Sequence, residues 1–360
     1  MTLFPPAFYR LLVIFLTALL PWSVSAAGNT VVVGQSIDLS GPNGAIGRDY
    51  VAGIRTAFDA INAAGGINGK RVTYLVRDDV GDPDTAVKVV TELIERDQVD
   101  YLFGGVGDAT TRATLNAAAF KRSNLTVYAP LANTESTRAH YWRPSYQEEV
   151  RYLLSYFEKL GIKRVGLAYQ DASISRDALD DISDTLRKRG MTITGTIAIA
   201  ANRAALAAEA KKLADSQPGF VVVLADTIGS AFFLKEFRHL DSRTFVAGTS
   251  LINLATLREI AGMKAVEWTV FSQVVPNPLG AATPLQLEHN AMMKKYRDES
   301  VSSLTLEGFL VAKTFGRSLS PGQKREFDLG GMYVATGPAE PRMSHYLDIA
   351  LFKKGAGLVF

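Results

Sequence analysis

VVVGQSIDLSGPNGAIGRDYVAGIRTAFDAINAAGG, residues 31–66, sets the plan that the rest of the chain repeats. Val31–Asp38 is rich in β-branched residues and reads as a buried strand, and the Gly-rich Ser40–Gly47 that follows reads as a turn. Val51, Ile54, Phe58 and Ile61 then recur at the spacing of one helix face, and Ala63-Ala64-Gly65-Gly66 stops that helix. Asn68-Gly69 makes a tight turn into a second strand, Val72–Arg77.

The alternation continues. Asp82-Pro83 opens a helix with Asp as N-cap and Pro at the first helical position, burying Val87, Val90, Leu93 and Ile94. Strands are predicted at Tyr101–Gly104, Leu125–Ala129, Val165–Tyr169, Thr192–Ile199, Phe220–Leu224 and Thr244–Gly248. Helices are predicted at Thr110–Lys121, Val150–Leu160, Ala178–Arg189, Ala204–Ala214 and Ser230–Leu240. Strict β-α order means α/β architecture, parallel sheets with helices on both faces. The last ninety residues depart from it: a strand at Val270–Val275, a Pro-rich turn, helices at Leu285–Asp298 and Leu306–Ser318, then short strands at Gly331–Val334 and Tyr346–Phe352. In parallel sheets ligands bind beyond the carboxyl ends of the strands. The loops to watch are Asp38–Gly47, Gly104–Thr111, Pro130–Thr137, Tyr169–Arg176, Ala225–Gly229 and Gly248–Asn253.

Upstream, MTLFPPAFYRLLVIFLTALLPWSVSAAGNT has one cation, Arg10, an apolar run Leu11–Leu20, the breaker Pro21 and the small residues Ser25, Ala26 and Ala27. That is the layout of a secretory signal peptide over residues 1–27, cleaved after Ala26 or Ala27. The run is about half of the roughly 20 residues a membrane span needs, so no membrane insertion of the mature chain is expected. The mature chain is read as a free periplasmic protein. Cysteine is absent, which excludes a thiol nucleophile, a Cys-ligated metal and a lipid-modified N-terminal Cys. A formal charge of +3 with no basic stripe argues against nucleic acid.

Six stretches carry a family resemblance: IDLSGPNGAIGRDYVAGIRTAFDAINAAGGINGKRV, VRDDVGDPDTAVKVVTELI, YLFGGVGDATTRA, VYAPLANTES, KRVGLAYQDASISRDALDDI and FSQVVPNP. In this order they resemble the type I periplasmic solute-binding proteins, in particular the leucine/isoleucine/valine-binding branch that serves ABC importers. The resemblance implies two doubly wound, Rossmann-like lobes joined by three hinge crossovers, placed near Trp142–Gln147, Ser272–Pro276 and Asp328–Met332. Lobe one would comprise 28–145 with 274–328, and lobe two 146–273 with 329–360. It implies a small-molecule ligand held in the cleft, an ABC permease as partner, a monomer, no cofactor and no catalysis.

The resemblance also implies site residues. The ligand's carboxylate would be held by backbone N–H groups and hydroxyls of Asp108, Ala109, Thr110 and Thr111 and of Ala132, Asn133 and Thr134. Asp108 stands where a serine is usual; it either faces the ligand or caps the helix beginning near Thr110. In lobe two, Ile174-Ser175 replaces a Tyr-Gly pair, and Ser250 stands where a leucine binder carries its ammonium-binding glutamate. Asp226 either replaces that glutamate or caps the helix ahead of Ser230. Ile46 would touch the ligand's apolar part, Tyr146 could reach the cleft, and Arg143 would bond carbonyls across the first crossover.

Other signals are weak. Gly105-Val106-Gly107 begins a dinucleotide fingerprint, but Thr110 holds the third glycine position and no acidic residue follows at ribose distance. Asp78, Asp79, Asp82 and Asp84 do not match a calcium loop. The four histidines show no paired ligand spacing. Two further functions fit the chain: a ligand sensor for a signalling receptor, and a periplasmic hydrolase using Asp108 with Asp226.

Overall fold

The computed structural model describes residues 30–171, 174, 176–322, 325–337, 342–353 and 357–359. The signal-peptide segment and Ser175 lie outside them. The opening strand forms as β1, Thr30–Ile37, followed by helix α1, Gly44–Ala63, and strand β2, Arg71–Asp78. Asp82 caps α2, Pro83–Glu95, by accepting from Thr85 N at 2.8 Å, with Pro83 in its first turn. β3 is Tyr101–Phe103; β4, Val127–Tyr128, and β5, Ala139–His140, are short. These strands form one sheet in the order β2-β1-β3-β4-β5, with the β1–β3, β3–β4 and β4–β5 pairs parallel.

The single helix expected over Thr110–Lys121 is two: α3, Asp108–Asn116, and α4, Ala118–Arg122. Ala117 between them leaves helical geometry at ψ 135°. Neither Gly nor Pro marks that break. The next helix, α5, runs Tyr146–Lys159 and starts four residues earlier than the apolar spacing suggests. A capping box explains the early start: Ser145 Oγ accepts from Glu148 N, and Glu148 Oε2 accepts from Ser145 N at 2.7 Å.

From there the chain builds β6, Arg164–Tyr169; α6, Arg176–Lys188; β7, Thr192–Ala198; α7, Arg203–Asp215; β8, Phe220–Leu224; α8, Thr227–Leu240; and β9, Phe245–Gly248. A short helix α9, Leu254–Ala261, precedes β10, Thr269–Gln273. Near the end come β13, Asp348–Lys353, and β14, Gly357–Val359. The second sheet has the order β14-β13-β10-β9-β8-β6-β7, parallel except for its antiparallel β10–β13–β14 edge. Its inner strand β8, FVVVL, is buried throughout, as a strand covered by helices on both faces must be.

After β10 the chain returns to the first sheet. α10, Pro284–Tyr296, and α11, Ser303–Ser318, pack on α1. The α1–α11 approach is close enough that a Cβ at Gly53 would lie 2.0 Å from the Thr305 carbonyl oxygen, and one at Gly308 2.1 Å from that of Tyr50. The β11–β12 hairpin, Glu326–Asp328 with Tyr333–Ala335, follows. Asp328–Met332, expected as a crossover, is the turn of this hairpin: Asp328 Oδ1 accepts from Gly330, Gly331 and Met332 N. Leu329, Met332, Val334 and Met343 share a hydrophobic core with Val33, Ile54 and Phe103 of the first sheet and α1. The chain rejoins the second sheet only at Asp348.

Candidate functional site

Where the strand ends of the two sheets meet there is a cavity of about 260 Å³. Each wall follows from local chemistry. In the β1–α1 loop, buried Asp38 accepts from Gly41 N at 2.6 Å and Asn43 N at 2.9 Å, folding the turn that brings Pro42, Asn43 and Ile46 to the cavity. A Cβ at Gly47 would lie 1.8 Å from the Asp38 carbonyl oxygen, so this turn requires glycine. Asp78 and Asp79 are likewise taken up by loop geometry. Asp78 accepts from Leu39 N and Val80 N, and Asp79 from Ser36 Oγ and Gly81 N. Burial pushes the Asp79 carboxyl up to about 6, against the pull of its Ser36 and Gly81 hydrogen bonds.

Two loops of the first sheet are tied edge to edge, Leu131 N donating to Gly105 O at 2.9 Å and Gly107 N to Leu131 O at 3.0 Å. Asp108 is the first residue of α3, and its side chain does not cap that helix. Its Oδ1 instead accepts from Asn133 N at 2.6 Å, Thr134 N at 3.0 Å and Thr134 Oγ1 at 3.2 Å. The cap, one of the two readings of Asp108, is therefore absent, and of the N–H groups expected to hold an anion from outside, those of Asn133 and Thr134 are spent on a carboxylate of the chain. The Thr110 hydroxyl is also spent, donating to Val106 O at 2.8 Å. Thr111 is buried beneath the loop.

From the second sheet come Ala225, Asp226, Thr249 and Leu251, with Tyr146 from the start of α5. Asp226 is the N-cap of α8, its Oδ1 accepting from Gly229 N at 2.6 Å, and it also lines the cavity. It is thus both a cap and part of the cavity wall. Tyr146 N donates to Asn133 Oδ1 at 3.1 Å, linking α5 to the loop of the first sheet. The Tyr146 hydroxyl is buried with no hydrogen-bond partner among the described residues.

The structure thus brings Ile46, Asp108, Ala109, Thr110, Ala132, Asn133, Tyr146 and Asp226 around one cavity. Thr134 is one layer back, held by Asp108 and, through its carbonyl, by the Tyr141 hydroxyl. Ile174 lies in the core with Leu167 and Phe220, because its backbone turns back to bond Gln170 O. Ser250 faces away from the cavity: its hydroxyl accepts from Arg143 Nη2, and its N–H donates to Glu149 Oε2 at 2.8 Å. Pro42, Asn43, Gly81, Thr249 and Leu251 were not foreseen individually. All but Gly81 belong to loops that the strand-end rule selects.

Behind the cavity, Arg143 is 3% exposed and bonds carboxylates rather than the carbonyls expected. Its Nη2 lies 3.1 Å from Glu149 Oε1 and its Nη1 3.7 Å from Glu307 Oε2 on α11. Burial draws the Arg143 guanidinium down, but the two carboxylates outweigh it and hold its pKa above the usual value. Burial drives the Glu307 carboxyl up to about 7, with Arg143 pulling against it and the Glu149 charge adding to it.

Two doubly wound sheets that build one cavity from both sets of strand ends define a cleft-type solute-binding protein. The model of the periplasmic binding protein family matches residues 30–320, and the chain belongs to that family, in its type I, Leu/Ile/Val-binding-protein-like form. The Leu/Ile/Val-binding protein homolog 1 of Brucella abortus is 33% identical over 81 residues, a match spanning 22% of this chain and 22% of that protein. The extracellular ligand-binding receptor from Verminephrobacter eiseniae superposes with a TM-score of 0.82 at 20% identity, over 92% of this chain and 100% of that one. The branched-chain amino acid transporter substrate-binding protein LivJ from Streptococcus pneumoniae, solved with isoleucine, gives 0.77 at 18% identity, over 92% and 99%. Among the described residues no helix is long and apolar enough to cross a membrane.

Proposed function

We propose that this chain is an exported receptor that traps a small polar solute, of the size of an amino acid, between two lobes and presents it to an ABC permease in the inner membrane. The observation that carries this reading is the cavity itself, which needs residues of both sheets. Lobe one would be residues 30–142 with 274–343, and lobe two 146–273 with 346–359. This division follows the first-sheet core, which includes Leu329, Met332, Val334 and Met343, residues that the sequence reading put in lobe two. Closure about the three crossovers would convert solute occupancy into a shape the permease can read. The family of this chain supports binding without turnover, and the amino-acid ligands of the Brucella and Streptococcus relatives support an amino-acid-sized solute. The chain would act in the periplasm, as a monomer, without cofactor.

Small-angle scattering of the purified protein against a panel of amino acids, amides, amines and short carboxylates tests the reading. A ligand at a hundred times its Kd should add about 2.7 kcal/mol of stability and reduce the radius of gyration. Chemical turnover of the stabilising solute, or stabilisation with no compaction, would overturn the receptor reading.

A further inference from the structure

Resting on that receptor reading, we infer that Asp108 acts as a built-in substitute for a ligand carboxylate, so that the solute is an amine-bearing cation with no free carboxylate. The loop at Asn133 and Thr134 points two backbone N–H groups and a hydroxyl at one spot, an anion cradle by its chemistry. Asp108 Oδ1 already occupies that spot. The positive end of α3 faces the same cavity, and Asp108 in its first turn answers that as well. A ligand carboxylate entering at Asn133 and Thr134 would find those donors taken and a like charge in their place.

The rest of the wall points the same way. Among the described residues, Asp226 is the other charged residue lining the cavity, and no Lys, Arg or His lines it. Arg112 of α3 donates to Thr134 Oγ1 at 3.4 Å and is not part of the lining. Asp108 and Asp226 each commit Oδ1 to the backbone, and neither Oδ2 has a hydrogen-bond donor from the described residues. An independent observation is the Tyr146 hydroxyl, buried, unpartnered and on a residue that lines the same space. The Asp108 and Asp226 carboxylate oxygens around a small cavity, with the Tyr146 side chain in its wall, suit a donor-rich cation, an ammonium or guanidinium. Ile46 and Leu251 leave an apolar side for a short hydrocarbon.

Calorimetric titration of the full chain with matched probes tests this: alaninamide, leucinamide, argininamide and agmatine, beside alanine, leucine, arginine and 4-methylpentanoate. The expected result is that at least one cation binds ten-fold or more tighter than its free amino acid, with no binding of the anion. Free amino acids binding as tightly as their amides overturn the inference and leave the receptor reading standing. Failure of every probe to bind, with a scattering profile unchanged by the wider solute panel, overturns both. Asp108→Ser gives the second arm: freeing the loop N–H groups should shift the amide-to-acid affinity ratio at least ten-fold toward the acid. An unchanged ratio in a folded D108S protein removes Asp108 from the role.

Discussion

At the crossover between the sheets, Arg143 stands between Glu149 and Glu307, all three at most 3% exposed. In the cavity in front of it, Asp108 and Asp226 stand with no cationic side chain among the lining residues. The crossover cluster carries its counter-charge inside: a guanidinium balances one carboxylate, and the rise of Glu307 to about 7 lets a proton offset the other. In the cavity one oxygen of each carboxylate accepts from the chain and, among the described residues, no donor reaches the second. Low-dielectric surroundings make an unbalanced charge costly, so a structural cluster resolves it internally. A cluster left unbalanced beside a solute-sized space is resolved by what enters the space. The difference separates architecture from site more sharply than residue type, since both are made of acidic groups.

The largest effect that can break this comparison is removal of the internal cation. Arg143→Met leaves Glu149 and Glu307 buried without their partner, and should lower the urea-unfolding free energy by about 3–5 kcal/mol. A loss under about 1 kcal/mol would mean the cluster is not held by its own charge balance.

A smaller effect is pH dependence, in which two buried groups pull oppositely. The Glu307 pKa is raised in the folded state, so its contribution is complete below about 4.5 and lost as pH rises through about 7. His289, packed edge-on to Phe309 with ring centroids 5.4 Å apart, is drawn by burial down to about 4. The unfolded chain binds that proton first, so its contribution is present above about 6.5 and lost as pH falls toward 4. Between about 4.5 and 6.5 the two slopes offset each other, with Asp79, raised to about 6, adding to the first, so unfolding free energies measured from pH 4 to 8 should show a net fall near pH 7, where Glu307 titrates alone, and Glu307→Gln should remove it. Persistence of that fall in E307Q would place the titration elsewhere.

The same contrast explains what was legible in the sequence. The alternation, the Asp82-Pro83 helix start and the loops that build the cavity follow from periodicity and cap chemistry, which are local. Tyr146 at the start of α5 was also readable, through the Ser145…Glu148 capping box, although apolar spacing alone placed that helix start at Val150. Asp108 was not readable in the same way. Its partners are 25 and 26 residues on, and only the edge-to-edge pairing of two loops brings them within hydrogen-bond distance. Ser250 failed for a similar reason, because its hydroxyl is claimed by Arg143 from 107 residues away. Asp328–Met332 was placed as a crossover on the resemblance alone, and nothing local says that Leu329 and Met332 pack into the first core.

The smallest expected change in stability is the most informative about the cavity. Asp226 has two jobs, a cap through Oδ1 and an open acceptor through Oδ2, and Asn can perform the first but carries no charge for the second. Asp226→Asn should therefore keep α8 capped and leave unfolding free energy within about 0.5 kcal/mol of the parent. Asp226→Ala loses the Gly229 N–H bond and should cost about 1 kcal/mol. If the cavity takes a cation, both variants should lose affinity for it at least ten-fold, about 1.4 kcal/mol, the Asn variant with its fold intact. Titration of both beside their unfolding curves separates the two roles: affinity that follows stability across the pair would make Asp226 a cap alone, whereas affinity lost equally in both, with stability lost only in D226A, makes its charge part of the site.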